Sequence, residues 1–141
     1  MADAVINKSI FIAASRETVW AYLTEKEKLA EWFHPAPNDL SEGNDYALVK
    51  ILDDGATDNL CWGTVLKMEP PSKMVWSFTV KPLGGAMTKV TWHLEEVNGG
   101  TKLSLEHEGI GAAAGEGAWG LLSALDEGWN EHLAKLRASA A

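Results

Sequence analysis

Residues 118–136 read AWGLLSALDEGWNEHLAKL, and their spacing decides the fold. Ala118, Leu122, Leu125, Trp129, Leu133 and Leu136 recur at steps of three or four. That spacing places them along one side of an α-helix of about five turns. Glu127, Glu131 and Lys135 fall on the opposite side, where Glu131 and Lys135 are spaced to pair. A helix with one apolar stripe must bury it against a second layer.

Stretches of period two upstream supply that layer. Lys73–Lys81 is the clearest: Met74, Trp76, Phe78 and Val80 share one face, and Val75, Ser77 and Thr79 the other. Downstream, Thr88–Val97 sets Val90, Trp92 and Leu94 against Lys89, Thr91, His93 and Glu95. Thr101–Glu108 then turns Leu103, Leu105 and His107 inward. Asn98-Gly99 between these two strands is a hairpin signal, since both residues tolerate the positive φ of a two-residue turn. Upstream, Leu60–Glu69, Asp45–Leu52 and Val5–Ala13 read as strands, the first two closed by Pro70-Pro71 and Asp53-Asp54-Gly55. The phase of Leu60–Glu69 is ambiguous, but Lys67 favours Trp62, Leu66 and Met68 inside.

Two short helices precede the second strand. Ser15 reads as an N-cap ahead of Val19, Tyr22 and Leu23. Thr24 reads as a break and second cap, with Glu27 completing a capping box for a helix over Glu25–Phe33 that Pro35 and Pro37 stop. Short turns between consecutive strands imply an antiparallel sheet. The expected fold is α+β: a curved six-stranded antiparallel sheet, two short helices and a long C-terminal helix, as a single domain over 1–141. The tail Ala138–Ala141 is expected to fray.

Charge excludes some functions. The formal net charge is −8, and the 12 basic residues are scattered, so neither nucleic acid nor an anionic membrane surface is an expected partner. The opening MADAVINKSIFIAAS lacks a basic start followed by a long apolar stretch, which makes the cytoplasm the expected location. Cys61 is the single cysteine and lies in the apolar run Leu60-Cys61-Trp62, so it reads as a buried thiol. Seven tryptophans in 141 residues are unusual. They can fill a core or line a cavity for a flat, apolar molecule.

Several local motifs, taken in order, resemble a known family. They are Ser15-Arg16-Glu17-Thr18-Val19-Trp20, Glu31-Trp32-Phe33-His34-Pro35, Gly63-x-Val65 with Glu69-Pro70-Pro71, Trp76, His107-Glu108-Gly109, and Gly128-Trp129-Asn130-x-x-Leu133-x-x-Leu136. Together they resemble the C-terminal domain of the activator of heat shock protein 90 ATPase and its small bacterial relatives. That branch is similar to the birch-pollen-allergen and START-related (SRPBCC) superfamily. His34 is a departure, since relatives often carry glycine there. The resemblance implies the helix-grip fold. It also implies one of three functions: a carrier of apolar small molecules, a cyclase or dehydratase-type enzyme, or a stress-response module that contacts a chaperone. The eukaryotic activator has a separate N-terminal chaperone-binding domain for which this chain has no room, so a chaperone partner is not the first expectation.

The first expectation is a binding protein for a hydrophobic or aromatic small molecule, held between sheet and terminal helix. Its expected ligand-binding residues are Trp32, Phe33, Trp76, Phe78, Trp92, Leu105, His107, Trp119 and Leu122. Among the aromatics Trp32, Trp92 and Trp119 favour the pocket and Trp129 the core. His107 can hydrogen-bond a ligand, serve as a general base, or be a satisfied core histidine. Glu106 and Glu108 point outward, so no carboxylate orients it, and no catalytic set is assigned. Gly109–Gly117 reads as a mobile lid, because its glycines lack the spacing of a phosphate-binding loop. His34, His93, His107 and His132 lack metal-ligand spacing, so neither a metal nor a cofactor is expected. His132 at the rim of the helix stripe reads as structural. Exposed strand edges leave a homodimer open.

Overall fold

The computed structural model describes residues 4–141; Met1, Ala2 and Asp3, the start of the stretch read for a leader, lie outside it. The elements, in chain order, are β1 (Ile6–Ile12), α1 (Arg16–Thr24), α2 (Lys26–Trp32), β2 (Asp45–Ile51), β3 (Thr57–Glu69), β4 (Lys73–Val80), β5 (Thr88–Val97), β6 (Gly100–Glu108), α3 (Ile110–Ala114) and α4 (Ala118–Ala140). The six strands form one antiparallel sheet in the order β1-β6-β5-β4-β3-β2, so β1 and β2 are its edges. Asn98 and Gly99 join β5 to β6 with φ of 47° and 85°, the positive values a two-residue hairpin turn needs.

One strand departs from its expected phase. In β3 the buried residues are Cys61, Gly63 and Val65, while Trp62 is half-buried and Leu66 is 53% exposed. The β3–β4 register shifts between Val65, opposite Trp76, and Lys67, opposite Val75. Leu66 is the extra residue of this bulge, and the bulge reverses the alternation. Lys67 lies beyond it and therefore carries no information about Trp62. Met68 returns opposite Met74 and packs against the core.

At Gly63, β3 and β4 approach too closely for a side chain. A Cβ there would stand 2.0 Å from the carbonyl oxygen of Ser77, so any other residue would force the strands apart. The close approach is held by polar contacts. Thr64 N–H donates to Ser77 Oγ at 2.8 Å, and the Tyr46 hydroxyl donates to the Ser77 carbonyl at 2.7 Å.

The helices need three corrections. Ser15 caps α1 as expected, accepting from Thr18 N–H at 3.2 Å. Thr24, however, does not cap α2: its hydroxyl donates back to Trp20 O, and Asp39 accepts from Lys26 N–H instead. The Gly109–Gly117 segment is not an open loop. It forms α3 and a three-residue 3-10 turn, anchored by the buried Ile110. The tail does not fray, because α4 runs to Ala140, Ala140 is buried, and the Tyr22 hydroxyl donates to Ser139 O at 2.9 Å.

The core is a run of indoles linking four elements. Trp92 of β5 meets Trp32 of α2, Trp76 of β4 and Trp129 of α4 edge-on, at centroid separations of 6.1, 5.4 and 5.6 Å. Burying a ring of this size contributes about 2–3 kcal/mol or more. Along α4, Trp129, Leu133, Leu136 and Ala140 are buried, whereas Leu122 and Leu125 are only partly covered. The helix is thus sealed onto the sheet in its second half. Lys8 of β1 pairs with Asp126 of α4 at 2.6 Å. The expected Glu131–Lys135 pair is not among the ion pairs of the described residues, and both side chains are exposed.

Candidate functional site

His107 sits on β6 opposite Ile6 and Val90 and is fully buried. The Trp129 indole N–H donates to its Nδ1 at 3.0 Å, so Nδ1 carries no proton and Nε2 does. Nε2–H then donates to Thr88 Oγ1 at 2.7 Å, and the Thr88 hydroxyl donates to Phe78 O at 2.7 Å. This relay uses every polar atom it contains. Burial lowers the His107 pKa from its ordinary 6.5 to about 4, so the ring is neutral at pH 7. With both nitrogens engaged and no exposed surface, His107 is a satisfied core histidine. Of the three readings open to it, this geometry matches the satisfied core histidine.

Where α4 is only partly covered, a cleft of about 130 Å³ remains between the helix and β3–β4. From the sheet it is lined by Leu60, Cys61, Phe78 and Val80. From the helix come Ala124, Leu125, Gly128 and Trp129. Phe33, His34 and His132 complete it, and all three rings touch one another, with centroids 4.6–5.2 Å apart. Gly128 is the reason the cleft has depth at the helix. A Cβ there would meet no atom within 4 Å, so the missing side chain is space, not a close contact. Cys61 is held as the neutral thiol, its pKa pushed up to about 12 by burial.

The imidazoles differ in their partners. His132 Nδ1 lies 3.2 Å from Trp32 O, and a carbonyl only accepts, so Nδ1 carries the proton. Burial lowers the His132 pKa, and Lys135 adds to the effect, against the Trp32 carbonyl and Glu131. His34 is lowered to about 4 by burial first, then by His132 and Lys135.

Of the nine residues expected at a ligand site, two line the cleft: Phe33 and Phe78. Trp32, Trp76, Trp92 and Leu105 are packed solid in the core beside His107. Leu122 is partly buried, outside the cleft lining, and Trp119 is 78% exposed. Trp129, read as core alone, is both core and cleft wall. Sequence reasoning missed Gly128, although a glycine inside a helical stripe costs about 1 kcal/mol and calls for a reason. It also read His132 as structural only.

A larger recess, about 510 Å³, opens where Pro37, Asn38 and Asp39 meet β2 and β3. Its lining mixes the apolar Tyr46, Trp62 and Met87 with the polar Asn38, Asp39 and Asn59. Asp39 is already capping α2, and Asp45 accepts from the Thr64 hydroxyl at 2.7 Å. Among the described residues, no group of three or more His, Cys, Asp or Glu side chains could hold a metal ion. Nor is any helix among them long and apolar enough to cross a membrane.

A curved antiparallel sheet wrapped round a long C-terminal helix, with two short helices after the first strand, defines a helix-grip protein of the SRPBCC class. The chain belongs to the family described as Activator of Hsp90 ATPase homolog 1-like protein, which matches residues 13–141. Among solved structures, CalU16 from Micromonospora echinospora is similar at 26% identity and a TM-score of 0.72, covering 97% of this chain and 74% of that one. DynU16, of the dynemicin biosynthetic locus, is 20% identical with a TM-score of 0.76, covering 97% of this chain and 47% of its own. The Aha1 dimer from Colwellia psychrerythraea is 19% identical with a TM-score of 0.73, covering 97% and 96%. No curated protein matches the chain.

Proposed function

We propose that this protein is a single SRPBCC-type domain that binds a small apolar or aromatic molecule in the cleft between β3–β4 and α4. The observation that carries the reading is Gly128: α4 gives up a side chain where the wall faces Phe33, Phe78 and Trp129, keeping an apolar space open. A well-packed core leaves few gaps of this size. The protein acts as a carrier or sensor, not through His107, whose nitrogens are both taken. DynU16, a similar fold from the dynemicin biosynthetic locus, supports a small-molecule role over a chaperone-contacting one. A cytoplasmic setting belongs to the same proposal, and so does a homodimer, supported by the dimeric Colwellia relative and by the open sheet with edges at β1 and β2.

The test is intrinsic tryptophan fluorescence against benzene, toluene and indole. Trp129 forms the cleft wall, so saturable quenching or a spectral shift is expected from at least one of them. A flat response to all three contradicts the proposal.

A further inference from the structure

The cleft is not uniformly apolar. His34 from the segment after α2 and His132 from α4 meet with ring centroids 5.2 Å apart, both beside Phe33. The bond to Trp32 O fixes the His132 proton on Nδ1. Its Nε2 is therefore a lone-pair acceptor, and no hydrogen bond among the described residues reaches it. A lone-pair acceptor at the edge of an apolar space rewards a ligand that brings one donor and penalises one that brings none.

Size narrows the ligand further. An apolar cavity of about 150 Å³ accommodates benzene. The cleft here, at about 130 Å³, suits one aromatic ring, and Phe33, Phe78 and Trp129 offer it aromatic walls. We infer that the cleft recognises a single-ring hydroxyarene, a phenol, whose ring lies among Phe33, Phe78 and Trp129 and whose hydroxyl donates to His132 Nε2. The inference rests on the ligand-binding reading above and adds the class of ligand and the residue that selects it.

The surroundings keep the acceptor available. Cys61 from β3 is a neutral thiol, His34 is neutral, and the charged neighbours Glu131 and Lys135 are exposed. Burial lowers both imidazoles, so neither is protonated at pH 7.5. A phenol with an ordinary pKa near 10 still holds its proton there.

The experiment compares p-cresol with p-xylene, near-isosteres that differ in a hydroxyl for a methyl, by tryptophan fluorescence at pH 7.5. p-Xylene is the more hydrophobic, so burial alone favours it. The inference predicts that p-cresol binds about five- to tenfold more tightly, the worth of one net hydrogen bond. In His132→Phe the preference is expected to reverse, and in His132→Asn, which keeps a donor for Trp32 O, to fall. The wild-type comparison stands even if a variant fails to fold. If p-xylene binds as tightly as p-cresol or more so, this inference is overturned and the apolar pocket survives. If neither binds, both readings are overturned together.

Discussion

At the residue scale, the fate of the indole N–H groups separates the tryptophans. Trp32 donates to Tyr22 O at 2.7 Å and Trp129 to His107, but the buried Nε1 atoms of Trp76 and Trp92 have no partner. An orphaned donor costs about 1–3 kcal/mol, so the four rings are not equivalent. Trp129→Phe would leave His107 Nδ1 unpaired, whereas Trp92→Phe would remove an orphan. Urea denaturation should therefore find Trp129→Phe the more destabilising, by about 1–3 kcal/mol. Equal losses would contradict the relay. His107 also makes stability depend on pH. Its folded pKa of about 4 lies below its ordinary 6.5, so the unfolded chain binds the proton first. The contribution is complete above pH 6.5 and is lost as pH falls through 6.5 toward 4, to a limit of about 3 kcal/mol. Denaturation midpoints across that window should fall with acid, and Thr88→Val should alter the slope. The inward position of His107 was legible from alternation along β6. A satisfied core histidine was among the readings open from sequence, but its particular partners were not legible, because Thr88 and Trp129 come from β5 and α4, far apart in the chain.

At the element scale, the strands and the helix stripe were legible because period two and period 3.6 are local. The phase of β3 was not, since the bulge at Leu66 depends on how β4 pairs and leaves no composition signal. The same strand carries a strict steric requirement. Gly63→Ala puts a methyl 2.0 Å from Ser77 O and is expected to destabilise by about 1–3 kcal/mol, read as a lower urea midpoint at unchanged slope. Gly128 gives the opposite result. Its Cβ position is empty, so Gly128→Ala is expected to raise stability by about 0.5–1 kcal/mol through helix propensity. A thermal melt checks the sign. A stabilising substitution that harms binding would mark Gly128 as a residue kept for space and not for folding.

At the scale of the whole molecule, the sheet and α4 grip one another unevenly. Four indoles seal the deep end of the interface, and the first half of α4 is left over a small apolar cleft. The two-layer arrangement could be read from the sequence, but the location of the remaining space could not. Which gaps the large rings fill is decided by packing between elements, and that is why Trp32, Trp76 and Trp92 lie in the core while Gly128, Trp129 and His132 join Phe33 and Phe78 at the cleft. The most direct test is an NMR titration of 15N-labelled protein with toluene, following the Trp129 indole N–H, with Gly128→Leu as the filled control. The account predicts saturable shifts at Trp129 in the native protein and none in Gly128→Leu. A Trp129 resonance that toluene leaves unmoved, or that shifts equally in both proteins, would contradict it.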